Sequence, residues 1–273
     1  MKQIEFTLER SPGCRISAWL HDENGSHELA QRKYPAIIIC PGGAYQFVSD
    51  REAEPVATPF FAAGYNTFIL RYDLSEGASG FRPLCQLADT IRTVREHAEE
   101  WFTKPDRIAV CGFSAGGHLA ASLGVWYDDP VFTEVYGKAN NLRPDAMILG
   151  YPVITADEFA HAKSIENVSG SAAGTENYHR FGLNQYVNDQ TPPTFLWHTA
   201  SDQAVPVENS LKMAEALSCH HVPYELHILP EGPHGMSVCT PEVGAPSPYN
   251  SRWVEWAIQW LNALFEPAER CGK

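Results

Sequence analysis

Short apolar runs and longer helical stretches alternate along almost the whole chain. The runs are Ala36–Cys40, Thr67–Tyr72, Ile108–Gly112, Ala146–Gly150, Thr194–Thr199 and Tyr224–Leu229. Each is nearly continuous in apolar character rather than alternating, which predicts strands buried on both faces. Between them, helices are predicted over Glu52–Ala63, Pro83–Glu100, Ala115–Trp126 and Val207–Cys219, and Arg252–Phe265 closes the chain. Strand, helix and strand in that order imply parallel pairing, with crossover helices covering both sheet faces. The expected fold class is α/β with a mostly parallel central sheet, as a single domain over residues 1–273. In the last helix Trp253, Trp256 and Trp260 fall at i, i+3 and i+7, a stripe read as core. From about Thr155 to Gln190 the alternation breaks into a stretch rich in Ala, Ser, Asn and Gly that also holds His161, Tyr178 and His179. It is too long for an ordinary connection, so a lid-like insertion is expected at about 155–190.

Charge narrows the partners. With 33 acidic against 20 basic residues the net charge is −13, and no basic patch interrupts it. Nucleic acid and anionic membrane surfaces are therefore not expected partners. No apolar run approaches the ~18 residues of a membrane span. The opening MKQIEFTLERSPG has no apolar core behind its basic residue, and the expected compartment is the cytoplasm. The cysteines (Cys14, Cys40, Cys85, Cys111, Cys219, Cys239 and Cys271) form an odd set without a C-x-x-C pair, as expected of reduced, mostly buried thiols. There is no H-E-x-x-H, no G-x-x-x-x-G-K-[ST] and no G-x-G-x-x-G after a strand, so neither metal nor phosphate chemistry is indicated. A homo-oligomer stays open, because nothing in the residues speaks to assembly.

One pentapeptide points to chemistry. Gly112-Phe113-Ser114-Ala115-Gly116 follows a strand-like run and opens a helix-like one. That context predicts a sharp strand-to-helix turn presenting the serine above the sheet edge, its glycines admitting close backbone approach. A serine hydroxyl needs a base, and the base an orienting carboxylate, in the chain order serine, acid, histidine. Asp202, just beyond the run Thr194–Thr199, is the candidate acid. His234, in the Gly/Pro-flanked loop Leu229–Met236, is the candidate base. His198 and His227 lie inside strands, His118 on the helix after Ser114, and His220 and His221 near a helix end. The backbone amides of Gly43 and Ala44, in Cys40-Pro41-Gly42-Gly43-Ala44-Tyr45, and of Ala115 are the candidate oxyanion donors.

Pro41–Tyr45, Gly112–Ala120, Pro192–Thr199 with Val205–Ser210, and Glu231–Gly235 resemble the α/β-hydrolase serine esterases grouped with bacterial acetyl-xylan esterases, over about residues 34–260. The resemblance implies an α/β-hydrolase fold. It also implies a cofactor-free carboxylic ester hydrolase that removes small acyl groups, typically acetyl, from carbohydrate hydroxyls. The sequence departs from that pattern at Ala44, where a third glycine is usual, and at Ser201, where a second acid is frequent. The expected partner is a small ester such as an acetylated oligosaccharide. Tyr45, Trp126 and Tyr151 are candidates either to line the acyl or sugar side or simply to pack. Competing readings are an arylformamidase, a general short-chain carboxylesterase, and a non-catalytic binding protein on the same fold.

Overall fold

The computed structural model describes residues 1–22, 32–137 and 141–266, so Cys271 lies outside the described residues. The chain runs β1 (Lys2–Leu8), β2 (Ser11–Leu20), β3 (Tyr34–Cys40), α1 (Glu54–Ala62), β4 (Asn66–Arg71), α2 (Arg82–Glu96), β5 (Thr103–Phe113) and α3 (Ala115–Trp126). It continues through α4 (Pro130–Tyr136), β6 (Ala146–Gly150), α5 (Ala162–Ser169), α6 (Glu176–His179), β7 (Thr194–Thr199), α7 (Glu208–Cys219), β8 (Tyr224–Leu229) and α8 (Arg252–Phe265). The strands form one 8-stranded sheet in the order β1-β2-β4-β3-β5-β6-β7-β8. β1 and β2 pair antiparallel, β2 pairs antiparallel with β4, and every other pair is parallel. This is the α/β-hydrolase architecture.

The continuous apolar runs have a simple cause. Along β3, Ala36, Ile38 and Cys40 enter one core while Ile37 and Ile39 enter the other, because successive side chains leave opposite faces of a strand. Leu84, Leu87 and Ile91 of α2 and Leu119 and Leu123 of α3 cover the first face. Val56 and Phe60 of α1, with Trp253, Ala257 and Leu261 of α8, cover the second. The buried stripe of α8 thus advances from Trp253 in fours, while Trp256 and Trp260 flank it, packed on His227 and Phe195 respectively.

Several expectations need correction. The run Tyr224–Leu229 is not buried on both faces. As β8 it is the sheet's last strand, with Tyr224 40% and Ile228 37% exposed. The helix expected from Glu52 is divided: Asp50–Glu52 form a 3-10 turn, Ala53 breaks it at φ −103° and ψ −105°, and α1 starts at Glu54 with Pro55 in its first turn. α2 stops at Glu96 rather than Glu100. The opening residues read as an edge strand, and β1 is the outermost strand of the sheet; β2 and α4 were not predicted. Stretch 155–190 holds α5, α6 and a short 3-10 turn, and it places Ile165, Val168, Tyr178, Phe181 and Leu183 in the first core. Among the described residues no helix is long and apolar enough to cross a membrane.

The topology selects where a ligand can sit. After β3 the chain steps outward to β4 and then returns past β3 to β5. Such a reversal opens a crevice at the carboxyl ends of the strands. Cys40 of β3 lies in register with Gly112 of β5, so the glycine loop after β3 and the serine turn after β5 emerge side by side.

Candidate active site

Ser114 holds φ 52° and ψ −120°, a conformation that costs a residue with a side chain ~1–3 kcal/mol. The surrounding structure over-determines it. The Ser114 amide donates to the Gly150 carbonyl at 3.1 Å, and its own carbonyl accepts the amides of His118 and Val153, each at 3.0 Å. Close approach explains the glycines: a Cβ on Gly116 would meet the Cys40 carbonyl oxygen at 2.0 Å, and one on Gly112 the Gly116 carbonyl oxygen at 2.1 Å.

Ser114, His234 and Asp202, contributed from the ends of β5, β8 and β7, converge. Ser114 Oγ lies 2.8 Å from His234 Nε2, and His234 Nδ1 lies 2.7 Å from Asp202 Oδ2. A carboxylate only accepts, so Nδ1 carries the proton and Nε2 is left to accept from the serine hydroxyl. The other carboxylate oxygen, Oδ1, accepts the amides of Ala204 at 2.9 Å and Val205 at 3.0 Å. Burial by itself would raise the Asp202 carboxyl. The hydrogen bonds of His198 and His234, the charge of His234 and the Val205 amide outweigh it and hold the group below the usual carboxylate range.

His198 faces Asp202 from β7. Its Nε2 stands 3.4 Å from Asp202 Oδ2 and 3.0 Å from the Val205 carbonyl oxygen, while Nδ1 lies 2.8 Å from Ser210 Oγ. Both neighbours of Nε2 are acceptors, which fixes the proton there. His227 instead pairs with Glu225, and His220 and His221 are exposed beyond α7.

The glycine loop is bent back on itself. Gly43, Ala44 and Tyr45 all have positive φ (128°, 54° and 59°), and a Cβ on Gly43 would strike the Phe47 carbonyl oxygen at 2.0 Å. Gly43 and Ala44 face the same cleft as Ser114, and Ala115, the first residue of α3, has an amide with no helical carbonyl to pair with. The loop is braced by Glu52, a buried carboxylate unmarked by any sequence pattern. Glu52 Oε2 accepts the Gly42 amide at 2.8 Å, and Oε1 accepts the Tyr151 hydroxyl at 2.6 Å. That hydroxyl in turn accepts the Ser237 amide at 2.9 Å, and the Tyr151 ring packs edge-on against the His234 ring, centroids 4.9 Å apart.

Tyr45, Trp126 and Tyr151 do not line the cleft; all three are buried. The Tyr45 hydroxyl meets His118 Nδ1 at 2.9 Å, and His118 Nε2 meets the Phe181 carbonyl oxygen at 3.0 Å. Burial lowers the His118 pKa to about 4. Trp126 packs among Phe81, Phe181 and Tyr186. The cleft, about 190 Å³, is walled instead by Gly43, Ala44, Phe47, Arg51, His161 and His234, with Ser114 at its floor. His161 belongs to stretch 155–190; Tyr178 and His179 of that stretch lie away from this cleft. Among the described residues no cluster of His, Cys, Asp and Glu could hold a metal ion.

The chain is 33% identical over 251 residues to endo-1,4-beta-xylanase B of Butyrivibrio fibrisolvens, covering 88% of this chain and 38% of that protein. It is 27% identical over 241 residues to the acetylxylan esterase of Xylanibacter ruminicola, covering 86% of this chain and 46% of that one. It therefore spans less than half the length of these curated relatives. Among solved structures, the acetyl ester-xyloside bifunctional hydrolase of Caldicellulosiruptor lactoaceticus superposes with a TM-score of 0.79 at 33% identity, over 92% of this chain and 88% of that one. The BD-FAE family profile matches residues 26–217, well over half the chain. On that match and on an architecture shared with its relatives, the chain belongs to the BD-FAE family of α/β hydrolases.

Proposed function

We propose that the chain is a serine carboxylic ester hydrolase that removes small acyl groups, acetyl foremost, from carbohydrate hydroxyls. The observation that carries this reading is the unbroken hydrogen-bonded line from Asp202 through His234 to Ser114, opening on a cleft beside the glycine loop. Ser114 Oγ attacks the ester carbonyl carbon while His234 Nε2 takes the hydroxyl proton. The negative charge formed on the carbonyl oxygen is met by the amides of Gly43, Ala44 and Ala115. On collapse the bond to the leaving alcohol breaks, and His234 returns the proton to that alcohol. Water, deprotonated by His234, then attacks the acyl-serine and releases the carboxylic acid. Asp202 stays ionised throughout and stabilises the imidazolium.

Size and kinship support the substrate class. At about 190 Å³ the cleft is smaller than the ~300–1,000 Å³ of sites that enclose drug-sized ligands, which suits a short acyl group with the rest of the ester outside. The relatives named for acetylated xylan and acetyl esters agree with that choice. We read stretch 155–190 as a lid fixed in the closed position, a wall for the leaving-group side. Asn167 Nδ2 donates to the Ala44 carbonyl at 2.7 Å, and Asn209 Oδ1 accepts the amides of Ile154 and Thr155. Ser114→Ala is expected to lower kcat on 4-nitrophenyl acetate by at least ~10⁴-fold with the fold intact. Retained turnover in that variant overturns the reading, and acetate release from acetylated xylo-oligosaccharides tests the sugar preference.

A further inference from the structure

The hydrolytic steps make no use of Phe47, Arg51 and His161, yet all three wall the cleft above Ser114. Phe47 is an apolar ring left 58% exposed at the rim. His161 is held by Ser164 Oγ at 2.8 Å, and burial together with the charge of His234 biases its imidazole toward the neutral form. Glu52 turns both carboxylate oxygens inward, to Gly42 and Tyr151. His234 is bound at both ring nitrogens.

Arg51 is the remaining charged group of the wall. Its side chain is exposed and its guanidinium lies over Gly235, next to His234: a Cβ on Gly235 would stand 3.1 Å from Arg51 Nη2. Acids flank it in sequence, but Asp50 does not line the cleft, Glu52 faces the loop and Glu54 pairs with Arg71 at 2.7 Å. Among the described residues no acid lies within ion-pair distance of Arg51. Arg92 and Arg95, by contrast, each pair with an aspartate. The charge open to a ligand in this cleft is thus one cation, in a chain whose net charge is −13.

We propose that Arg51 is a binding residue for a carboxylate carried by the ester substrate, so that the cleft selects acidic esters over neutral ones. This rests on the esterase reading above. The carboxylate has two chemical sources, a uronate on the sugar side or a dicarboxylic half-ester on the acyl side. A guanidinium serves either, since its fork of donors matches a carboxylate.

The test compares kcat/KM for three esters: a monoacetylated methyl glucoside, the same acetate of methyl glucuronoside, and a methyl glucoside hemisuccinate. In the wild-type protein at least one anionic ester is expected to be favoured over the neutral one, by about tenfold at low salt. That advantage shrinks as ionic strength rises. Arg51→Gln should collapse the ratio toward one, and Arg51→Lys should retain part of it. The ester that loses its advantage in Arg51→Gln identifies the source. Turnover of 4-nitrophenyl acetate with both anionic-to-neutral ratios independent of Arg51 overturns the carboxylate site and leaves the esterase reading standing. Absence of any hydrolysis by the wild-type protein overturns the esterase reading and the site with it.

Discussion

Asp202 illustrates how much one side chain can be made to do. Its Oδ1 is committed to the Ala204 and Val205 amides, and Oδ2 faces donors from His234 and His198. An asparagine here must keep its carbonyl oxygen at Oδ1, because those two amides still need an acceptor. Its NH₂ then points at the His234 and His198 nitrogens, donor against donor. His234 responds by moving its proton to Nε2, where it can no longer accept from Ser114. Asp202→Asn is therefore expected to lower kcat by ~10³–10⁴-fold, read by steady-state kinetics, and to lower the melting temperature as well, because the buried carboxylate's bonds to both histidines are lost. A loss below tenfold would show that His234 is held by something other than this carboxylate. The positions of Ser114, Asp202 and His234 were legible because a tight turn and a fixed chain order leave marks in sequence. Arg51, Glu52 and Phe47 left none: what distinguishes them is which way a side chain turns after the glycine loop folds back.

At the scale of elements, the glycine loop and the His234 loop are joined beneath the cleft through Glu52, Tyr151 and Ser237. Trp253 of α8 completes the link by donating Nε1–H to the Ser237 carbonyl at 2.9 Å. Glu52→Ala would leave the Gly42 amide and the Tyr151 hydroxyl without their acceptor, at ~1–3 kcal/mol for each buried group. Glu52 is a positioning residue in this arrangement. The expected result is a fall in kcat of ~10-fold or more that exceeds any change in KM, because the glycine-loop amides proposed as oxyanion donors shift while Phe47, Arg51 and His161 stay. Glu52→Gln, which keeps an oxygen for Gly42, should recover part of kcat. Equal changes in kcat and KM for both variants would speak for general loosening instead. Elements were legible where burial is two-sided, as in β3 and β6, whose runs are continuous. β8 was misjudged because Tyr224, Leu226 and Ile228 look the same in sequence whether or not a further strand covers them.

For the whole molecule, two buried groups contribute to acid sensitivity in separate pH windows. His118 has a native pKa of about 4 against an ordinary ~6.5, so the unfolded chain binds the proton more readily. Stability is full above ~6.5 and falls as pH drops toward 4, at ~1.4 kcal/mol per pH unit. The Asp202 carboxyl is depressed, so its contribution is intact above ~3.9 and is lost only below that. The melting temperature of the wild-type protein should accordingly fall between pH 6.5 and 4. His118→Gln should flatten that slope without touching the loss at lower pH. An unchanged slope in the variant would assign the acid sensitivity elsewhere.

The hydrogen bond between Ser114 and His234 spans 120 residues. During synthesis the serine emerges, and its turn can form, long before the histidine that would arm it has been translated. On the proposed mechanism, the hydroxyl therefore lacks its base on any chain that stops before His234. Hydrolytic competence, on that mechanism, has to wait for the segment that follows β8.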